Sequence, residues 1–173
     1  MKNKILLIII FLLCPFTFLI NNKDNTKSDI KVEDNIIVNL KRNDEIISLN
    51  LDEYIIGVVG KEMPASFYDE ALKAQAVAAR TFAYNYLEGN EINISDKIQG
   101  YASINELKEK WQNDFDKYYN KIKNIVLSLD NEVIKYNGDI IKSYYYAISN
   151  GKTEDVMEVF NEELPYIEVV DSS

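Results

Sequence analysis

Histidine is absent from this 173-residue sequence, and cysteine occurs once, as Cys14 in the apolar N-terminal stretch. The absence of histidine excludes Ser-His-Asp triads, histidine general bases and most zinc sites. The lone cysteine leaves no disulfide and no thiol nucleophile for the rest of the chain. A net charge of −9 with no basic cluster argues against nucleic acid or an anionic membrane surface as a partner. Catalysis by this chain must therefore use carboxylates, Lys, Tyr, Ser or Thr.

The N-terminal part of the chain differs in character from the rest. The sequence as a whole has 47% hydrophobic residues, which is enough to form a core. Two lysines precede a long apolar run, a pattern that keeps the N-terminus on the cytoplasmic side. We predict that residues 1–20 are a single N-terminal anchor in the cell membrane. A cleaved signal peptide stays the alternative because the run is short for a span, while a lipoprotein attached through Cys14 fits less well. We expect residues 21–35 to be a polar tether and residues 36–173 to form an extracytoplasmic domain.

The most regular pattern in the domain is a long helix between Ser66 and Gly89. Ser66 is a suitable N-cap, six alanines lie between positions 71 and 83, and Gly89 is a suitable stop. Alanine-rich faces let other elements approach closely, so polar side chains on this helix are expected to be enclosed and hydrogen-bonded. We expect Gln75 and Arg80 to give structural support in this way.

Two shorter patterns precede the long helix. Alternating apolar residues at 36–40 and 46–49 predict a β-hairpin. Asn50 is a suitable cap for a short helix that ends near Gly60. Glu62 then lies in the joint between the two helices.

A polar segment and a second helical pattern follow the long helix. Residues 90–101 are too polar and irregular to predict a core element, so we expect a loop. Ser103 and Glu106 form a capping box, and apolar residues continue at helical spacing to about Val126.

The C-terminal part has extended patterns. Asn137-Gly138 is a strong hairpin turn signal between two alternating segments, and residues 164–170 predict an edge strand after a proline. Together the patterns predict an α+β fold, in which a long Ala-rich helix and shorter helices pack on antiparallel β-hairpins in a single domain.

A series of motifs runs along the domain in a fixed order. They are Tyr54-Ile55-Ile56-Gly57-Val58-Val59, Glu62-Met63-Pro64, residues 70–81, Gln99 with Tyr101, residues 145–154, and Pro165-Tyr166. This series resembles the stage II sporulation protein D (SpoIID) family and the related amidase-enhancer proteins of the bacterial cell wall. The resemblance covers residues 36–173, and the segments around the long helix are its most specific part.

The resemblance implies an enzyme of peptidoglycan remodelling. Sporulation members of the family are membrane-anchored lytic transglycosylases that cleave peptide-stripped glycan strands during engulfment and leave 1,6-anhydro-MurNAc ends. Their expected partners are an amidase and membrane proteins of the same wall-remodelling complex. The glutamate of the Glu-Met-Pro motif is the catalytic acid of the family, which assigns catalysis here to Glu62.

One carboxyl group is enough for this reaction, because the same group first protonates the glycosidic oxygen and then deprotonates the attacking C6 hydroxyl. Apolar neighbours favour the protonated form of such an acid, and Val59, Met63, Pro64 and Phe67 are near Glu62 in sequence. We predict substrate contacts from Lys61, Gln99, Tyr101, Tyr145, Ser149 and Thr153.

The sequence departs from the family in several ways. Some members hold zinc through Cys and His before the Gln-Tyr motif, but this chain has neither there, so no metal or other cofactor is expected. The usual double glycine is Asn150-Gly151, and a histidine often seen nearby is Tyr146. Longer members continue beyond the position of Ser173, so we expect the C-terminal part of the family domain to be missing. The alternative function is therefore a non-catalytic wall-binding module that recruits or enhances an N-acetylmuramoyl-L-alanine amidase. A degraded copy of the enzyme is a further alternative.

Overall fold

A computed structural model describes residues 36–172, in which helices cover one face of a four-stranded sheet. Its strands are β1 (Ile37–Arg42), β2 (Glu45–Asn50), β3 (Leu87–Glu88) and β4 (Glu91–Ser95), and a separate small hairpin consists of β5 (Lys135–Tyr136) and β6 (Asp139–Ile140). The strand order in the sheet is β2-β1-β4-β3, with β1 antiparallel to β2 and parallel to β4. The helices are α1 (Leu51–Glu62), α2 (Asp69–Ala83), α3 (Ile104–Trp111), α4 (Phe115–Leu127) and α5 (Val156–Phe160).

The two faces of the sheet follow the alternation of apolar and polar residues. Val38 and Leu40 of β1 are fully buried and pair in register with Ile92 and Ile94 of β4. On the opposite face, the side-chain amide of Asn39 donates to the Glu91 carboxylate at 3.0 Å. The hydrophobic core therefore lies between the inner face of the sheet and the helices.

Helix α1 begins and packs as its sequence predicts. The Asn50 side chain accepts a hydrogen bond from the Glu53 amide at 2.8 Å, which is the expected N-cap. Gly57 lets the segment around Tyr101 pack directly on this helix, since a Cβ atom at Gly57 would lie 2.2 Å from the Tyr101 ring. The helix extends two residues beyond the predicted end, and Glu62 is its last residue.

The long helix α2 is shorter than predicted, and both of its predicted ends are wrong. The helix is preceded by Tyr68, which makes no side-chain cap, and it begins at Asp69 instead of after Ser66. Beyond Ala83 a short 3₁₀ turn leads into β3, and Gly89, at φ 62°, lies in the turn between β3 and β4. The glycine is therefore required by a hairpin and does not terminate the helix.

The expectation of a loop over residues 90–101 is wrong for Glu91–Ser95, whereas residues 96–101 are turns and irregular backbone as expected. Residues Glu91–Ser95 form β4, which lies in the middle of the sheet with Ile92 fully buried. The polar residues that made this segment look irregular occupy the outer face of the strand.

The second helical pattern is divided into two helices. The capping box of Ser103 and Glu106 is present at the start of α3 as predicted. At Gln112 the backbone has a φ of 46°, and a 3₁₀ turn separates α3 from α4. Neighbouring side chains still contact each other across the break, with the ring centroids of Trp111 and Phe115 6.3 Å apart.

The C-terminal part has less regular structure than predicted. Asn137 and Gly138 form the predicted turn with positive φ angles, but β5 and β6 contain only two residues each. The predicted strand over residues 164–170 is absent from the described chain, which has only an isolated bridge between Lys152 and Asp171 there.

The predicted α+β fold class is confirmed, with the correction that the sheet is mixed and not built only from antiparallel hairpins. The predicted anchor and tether, residues 1–35, lie outside the described residues. Within residues 36–172, every helix is too short or too polar to cross a membrane.

Candidate functional site

Glu62, the predicted catalytic residue, lines a cleft of about 460 Å³ at the C-terminal end of α1. Its side chain is exposed to solvent. The other lining residues come from four separate segments of the chain and are mostly aromatic: Phe82, Tyr86, Ile98, Gln99, Gly100, Tyr144, Tyr145 and Phe160.

Aromatic rings form the walls of the cleft. Tyr144 stacks on Phe160 with ring centroids 4.3 Å apart and planes 8° from parallel. Phe82 contacts Tyr144 edge-on at 6.1 Å and lies 5.7 Å from Tyr86. These rings continue as one connected group from the end of α2 to α5, and exposed ring faces of this kind can pack against the apolar faces of sugars.

The Glu62 carboxylate lies directly against the backbone of Gly100. A Cβ atom at position 100 would be 2.2 Å from Glu62 Oε1 and 3.4 Å from Lys61 Cγ. Only glycine leaves room for the carboxylate in this position. Lys61 is exposed beside this contact but does not line the cleft.

The predicted apolar surroundings of Glu62 are wrong in detail. Val59 is fully buried in the core below the helix end, and Phe67 is exposed outside the cleft. The residues near Glu62 in sequence diverge because α1 ends at Glu62 and the chain turns away at Met63, which has extended backbone angles. The apolar surface that faces the carboxylate comes instead from segments distant in sequence.

Lys110 places a positive charge at the end of α1. Its ammonium group donates to the carbonyl oxygens of Gly60 at 2.8 Å and Lys61 at 3.3 Å, which caps the helix C-terminus. Burial lowers the Lys110 pKa, the positive charge of Lys61 lowers it further, and the negative charge of Glu62 opposes both effects. Lys110 therefore caps the helix end that carries Glu62, and the charges of these two side chains interact.

Gln99 is buried and connects the cleft to the core. Its carbonyl oxygen accepts a hydrogen bond from the Tyr54 hydroxyl at 2.8 Å. Its amide nitrogen donates to the Ala79 carbonyl at 3.1 Å and to the Tyr145 hydroxyl at 2.8 Å. Gln99 was predicted to contact substrate, but both of its N–H groups are already used by the protein.

The alanine-rich face of α2 explains how these segments dock. Gln99 reaches the carbonyl of Ala79, and the buried Ser143 hydroxyl donates to the carbonyl of Ala78 at 2.7 Å. Small side chains leave these backbone oxygens accessible, so α2 fixes both the Gln99 segment and the strand-like segment that carries Tyr145.

Tyr145 is half-buried in the cleft wall. The pKa of its hydroxyl is raised to about 12, mainly by burial and also by the nearby negative charge of Glu62, while the hydrogen bond from Gln99 opposes the shift. The group is therefore a neutral phenol at ordinary pH and retains a proton that it can donate.

An ion-pair cluster fixes residues 96–106, the segment that contains Gln99 and Gly100. Both terminal nitrogens of Arg42 bind the Glu106 carboxylate, at 2.7 and 2.5 Å, and its Nε lies 3.3 Å from Asp96. The Arg42 guanidinium and hydrogen bonds from Ser103 lower the Glu106 pKa to about 2. The end of β1 is thereby tied to both ends of the segment that carries the two cleft residues.

In addition to Lys61, three predicted substrate contacts do not line this cleft. Tyr101 stacks on Tyr54, at 5.7 Å, and lines a different groove. The Ser149 hydroxyl is hydrogen-bonded to that of Ser172. Thr153 exchanges hydrogen bonds with the C-terminal segment at Val170. These side chains serve local structure because the C-terminal segment folds back onto their loop.

The two predicted supporting residues differ from each other. Arg80 is fully buried and donates to Asp52 at 3.1 Å and to the Val126 carbonyl at 3.4 Å, so it connects α2 to α1 and α4 as expected. Gln75 does not act as a tie, because no acceptor among the described residues lies within hydrogen-bond reach of its buried amide nitrogen.

Sequence reasoning missed several residues of the cleft. Phe82, Tyr86 and Phe160 lie in segments whose motifs gave no sign of a shared surface, and Lys110 looked like an ordinary helix residue. Only Tyr144 gave a signal, because it is adjacent to Tyr145, a predicted substrate contact, in a run of three tyrosines.

The fold and the cleft define an α+β domain with an exposed carboxylate between aromatic walls. The model of the SpoIID family, described as stage II sporulation protein, matches residues 40–136, which is more than half of the chain. The protein belongs to this family. The match includes Glu62, Gln99 and Gly100 but ends before Tyr145.

Three named relatives indicate the range of the family. Stage II sporulation protein D of Bacillus subtilis (strain 168) is 35% identical over 139 residues, which cover 75% of this chain and 40% of the relative. The amidase enhancer of Bacillus subtilis (strain 168) is 34% identical over 111 residues, 64% of this chain and 14% of the relative. A second stage II sporulation protein D, from Bacillus amyloliquefaciens, is 34% identical over 139 residues. The matched part thus spans 40% or less of the length of these relatives.

Proposed function

We propose that the protein is a lytic transglycosylase that cleaves the MurNAc-GlcNAc bond of peptidoglycan glycan strands during sporulation. The observation that supports this proposal most strongly is the carboxylate content of the cleft. Glu62 is the only carboxylate among the described residues that line it. Glycoside hydrolases of the common type need two such groups about 5–9 Å apart, whereas a transglycosylase needs one.

The mechanism follows from this single acid. Protonated Glu62 donates its proton to the glycosidic oxygen as the bond from that oxygen to the anomeric carbon breaks. The resulting carboxylate then takes the proton from the C6 hydroxyl of the same MurNAc residue, whose oxygen bonds to the anomeric carbon. The products are a 1,6-anhydro-MurNAc end and a new GlcNAc hydroxyl, and Glu62 is regenerated in its acid form.

The surroundings of Glu62 fit both halves of the reaction. The aromatic walls line the same cleft as the carboxylate, and a glycan strand bound against them would exclude water from Glu62, which favours transfer to a substrate hydroxyl over hydrolysis. The cap at Lys110 fixes the helix end that carries Glu62, and Gly100 leaves room for its carboxylate. Glu62 is thereby placed to act first on the glycosidic oxygen and then on the C6 hydroxyl. Peptide-stripped strands are the proposed substrate because the resemblance to the sporulation members of the family implies them.

The test is product analysis with purified, peptide-free glycan strands and the full chain in detergent. We expect new 1,6-anhydro ends from the wild type and none from Glu62→Gln. Glu45→Gln is the matched control, since Glu45 is an exposed glutamate on β2 that does not line the cleft. Reducing ends without the anhydro ring would contradict the proposal.

A second candidate function is enhancement of an amidase without cleavage of glycan. The similarity to a protein named amidase enhancer favours it. In that case the protein would increase the release of stem peptides by an N-acetylmuramoyl-L-alanine amidase, and Glu62→Gln would increase it equally. A stimulation that requires Glu62 would instead indicate that glycan cleavage comes first.

We also propose that the domain acts outside the cell membrane, held by an N-terminal anchor over residues 1–20 and close to an amidase and membrane proteins of the same complex. The lysines ahead of the apolar run support this orientation. Protease added to intact protoplasts should digest the domain, whereas a domain protected until lysis would contradict the proposed location.

A further inference from the structure

The hydrogen bonds around Gln99 have a fixed direction. The Ala79 carbonyl can only accept, so the Gln99 atom 3.1 Å from it must be the amide nitrogen. The Gln99 carbonyl oxygen then faces Tyr54, whose hydroxyl must donate to it. Reversing the amide would place the Gln99 carbonyl oxygen against the Ala79 carbonyl oxygen, so that two acceptors would face each other.

This direction decides what the Tyr145 hydroxyl can do. Its oxygen accepts the second N–H of Gln99 at 2.8 Å. Its own proton therefore points away from Gln99, and no acceptor among residues 36–172 receives it. Tyr145 and Glu62 line the same cleft.

We propose that Tyr145 is a second catalytic residue of the cleft, which donates a hydrogen bond to a glycan oxygen at the bond that Glu62 cleaves, and that Gln99 is the positioning residue that aims it. This inference rests on the proposed function. The acceptor is a hydroxyl, ether, acetamido or lactyl carboxylate oxygen, since these are the oxygens that a peptide-free glycan strand presents. Negative charge develops on oxygen as the bond breaks, and a donor already in place stabilises it.

The buried position of the chain Tyr54-Gln99-Tyr145 suits this role. Tyr54 is fully buried and stacks on Tyr101, so its hydroxyl has one stable position. Gln99 is almost fully buried between α2 and the cleft. A rigid chain of this kind orients the terminal hydroxyl before substrate arrives, which a solvent-exposed tyrosine does not achieve.

The first experiment measures anhydro-end formation with single and double variants. Loss of a hydrogen bond to a partly charged oxygen should lower kcat of Tyr145→Phe about 10- to 100-fold. Gln99→Met, which keeps the size of the side chain, should lower kcat about tenfold. If Gln99 acts through Tyr145, adding Gln99→Met to Tyr145→Phe should lower kcat by less than about twofold more.

The matched control is Tyr146→Phe, which removes the same atom from the next residue, an exposed tyrosine that does not line the cleft. It should retain wild-type kcat. Melting temperatures of all variants show whether a loss of rate comes from unfolding. An unchanged kcat in Tyr145→Phe, or independent effects of the two substitutions, would overturn the inference and leave the proposed function intact.

The second experiment does not require activity. In protein labelled with ¹³C at the tyrosine Cζ atom, the Tyr145 resonance is assigned by its loss in Tyr145→Phe. Glu62→Gln should shift its titration to lower pH, and Gln99→Met should shift it to higher pH, because the first removes a negative charge and the second removes a donor. A resonance that responds to neither change overturns the hydrogen-bond chain. A wild type that forms no anhydro ends contradicts the proposed function and the catalytic role of Tyr145 together.

Discussion

Gly100→Ala should lower activity strongly while leaving the protein folded. The added Cβ atom would lie 2.2 Å from Glu62 Oε1, whereas ordinary contact begins at about 3.4 Å. The carboxylate oxygen must therefore retreat by about 1.2 Å, the difference between these two distances. Because it is the exposed end of a flexible side chain, it can do so without moving the backbone.

The expected effect on rate is large for a substitution of one methyl group. A misplacement of about 1 Å in a catalytic group can cost about 100-fold in rate, so we expect kcat to fall by about that factor. Gly100 does not have a positive φ angle, and its backbone accommodates alanine. The free energy of unfolding should therefore stay within about 1 kcal/mol of the wild type.

The assay compares anhydro-end formation and urea unfolding for two glycine variants. Gly57→Ala is the contrast, because its Cβ atom would lie 2.2 Å from the Tyr101 ring and 2.7 Å from the Ala102 carbonyl, neither of which can move freely. It should lower the free energy of unfolding by about 1–3 kcal/mol. A Gly100→Ala protein with wild-type kcat would refute the placement of Glu62 against Gly100.

Three further predictions concern the supports of the cleft. The ion pair with Arg42 lowers the Glu106 pKa to about 2, so its stabilisation is present above pH 4.5 and is lost as the pH falls. Glu106→Gln should therefore remove about 1 kcal/mol of the loss in unfolding free energy between pH 4.5 and 2, measured by urea unfolding at each pH. A variant that loses stability with pH as steeply as the wild type would contradict this. Arg80→Ala should lower the free energy of unfolding by about 3 kcal/mol, whereas Arg80→Met, which fills the space without the two unpaired nitrogens of the guanidinium, should stay within about 1 kcal/mol of the wild type; equal urea midpoints for the two variants would contradict this. Lys110→Met should lower kcat about tenfold and stability by about 1 kcal/mol, since it uncaps the helix end that carries Glu62; a full-rate variant would show that the cap does not position the carboxylate.

The parts of the fold that follow from sequence are those specified by a few neighbouring residues. The β1–β2 turn, the cap at Asn50, the capping box at Ser103 and the turn at Asn137-Gly138 are all present. In each case the signal is a local hydrogen bond or a local backbone conformation that does not depend on the rest of the chain.

Other parts depend on pairings between distant residues. Strand β4 is parallel to β1 with a register that joins Val38 to Ile92, and five residues of alternating character do not reveal a partner more than 50 positions away. Gly89 has the same local signature in a hairpin turn as after a helix. The ends of α2 were therefore not determined by their own residues alone.

The candidate site divides in the same way. A motif identified Glu62 and Gln99, and the structure places both on one cleft. The walls at Phe82, Tyr144 and Phe160 could not be predicted, because ring contacts across the chain leave no pattern in the sequence. The change of role for Gln99, from substrate contact to positioning residue, depends on the direction of its hydrogen bonds, which is set only when distant segments meet in the fold.

The central claim is that the carboxyl group of Glu62 is both acid and base in the cleavage of glycan. The most direct measurement is mass-spectrometric analysis of the products from peptide-free strands, with wild type, Glu62→Gln and Glu45→Gln side by side. We predict 1,6-anhydro-MurNAc ends from the wild type and the Glu45 variant and none from the folded Glu62 variant. Equal yields of anhydro ends from all three proteins would contradict the claim.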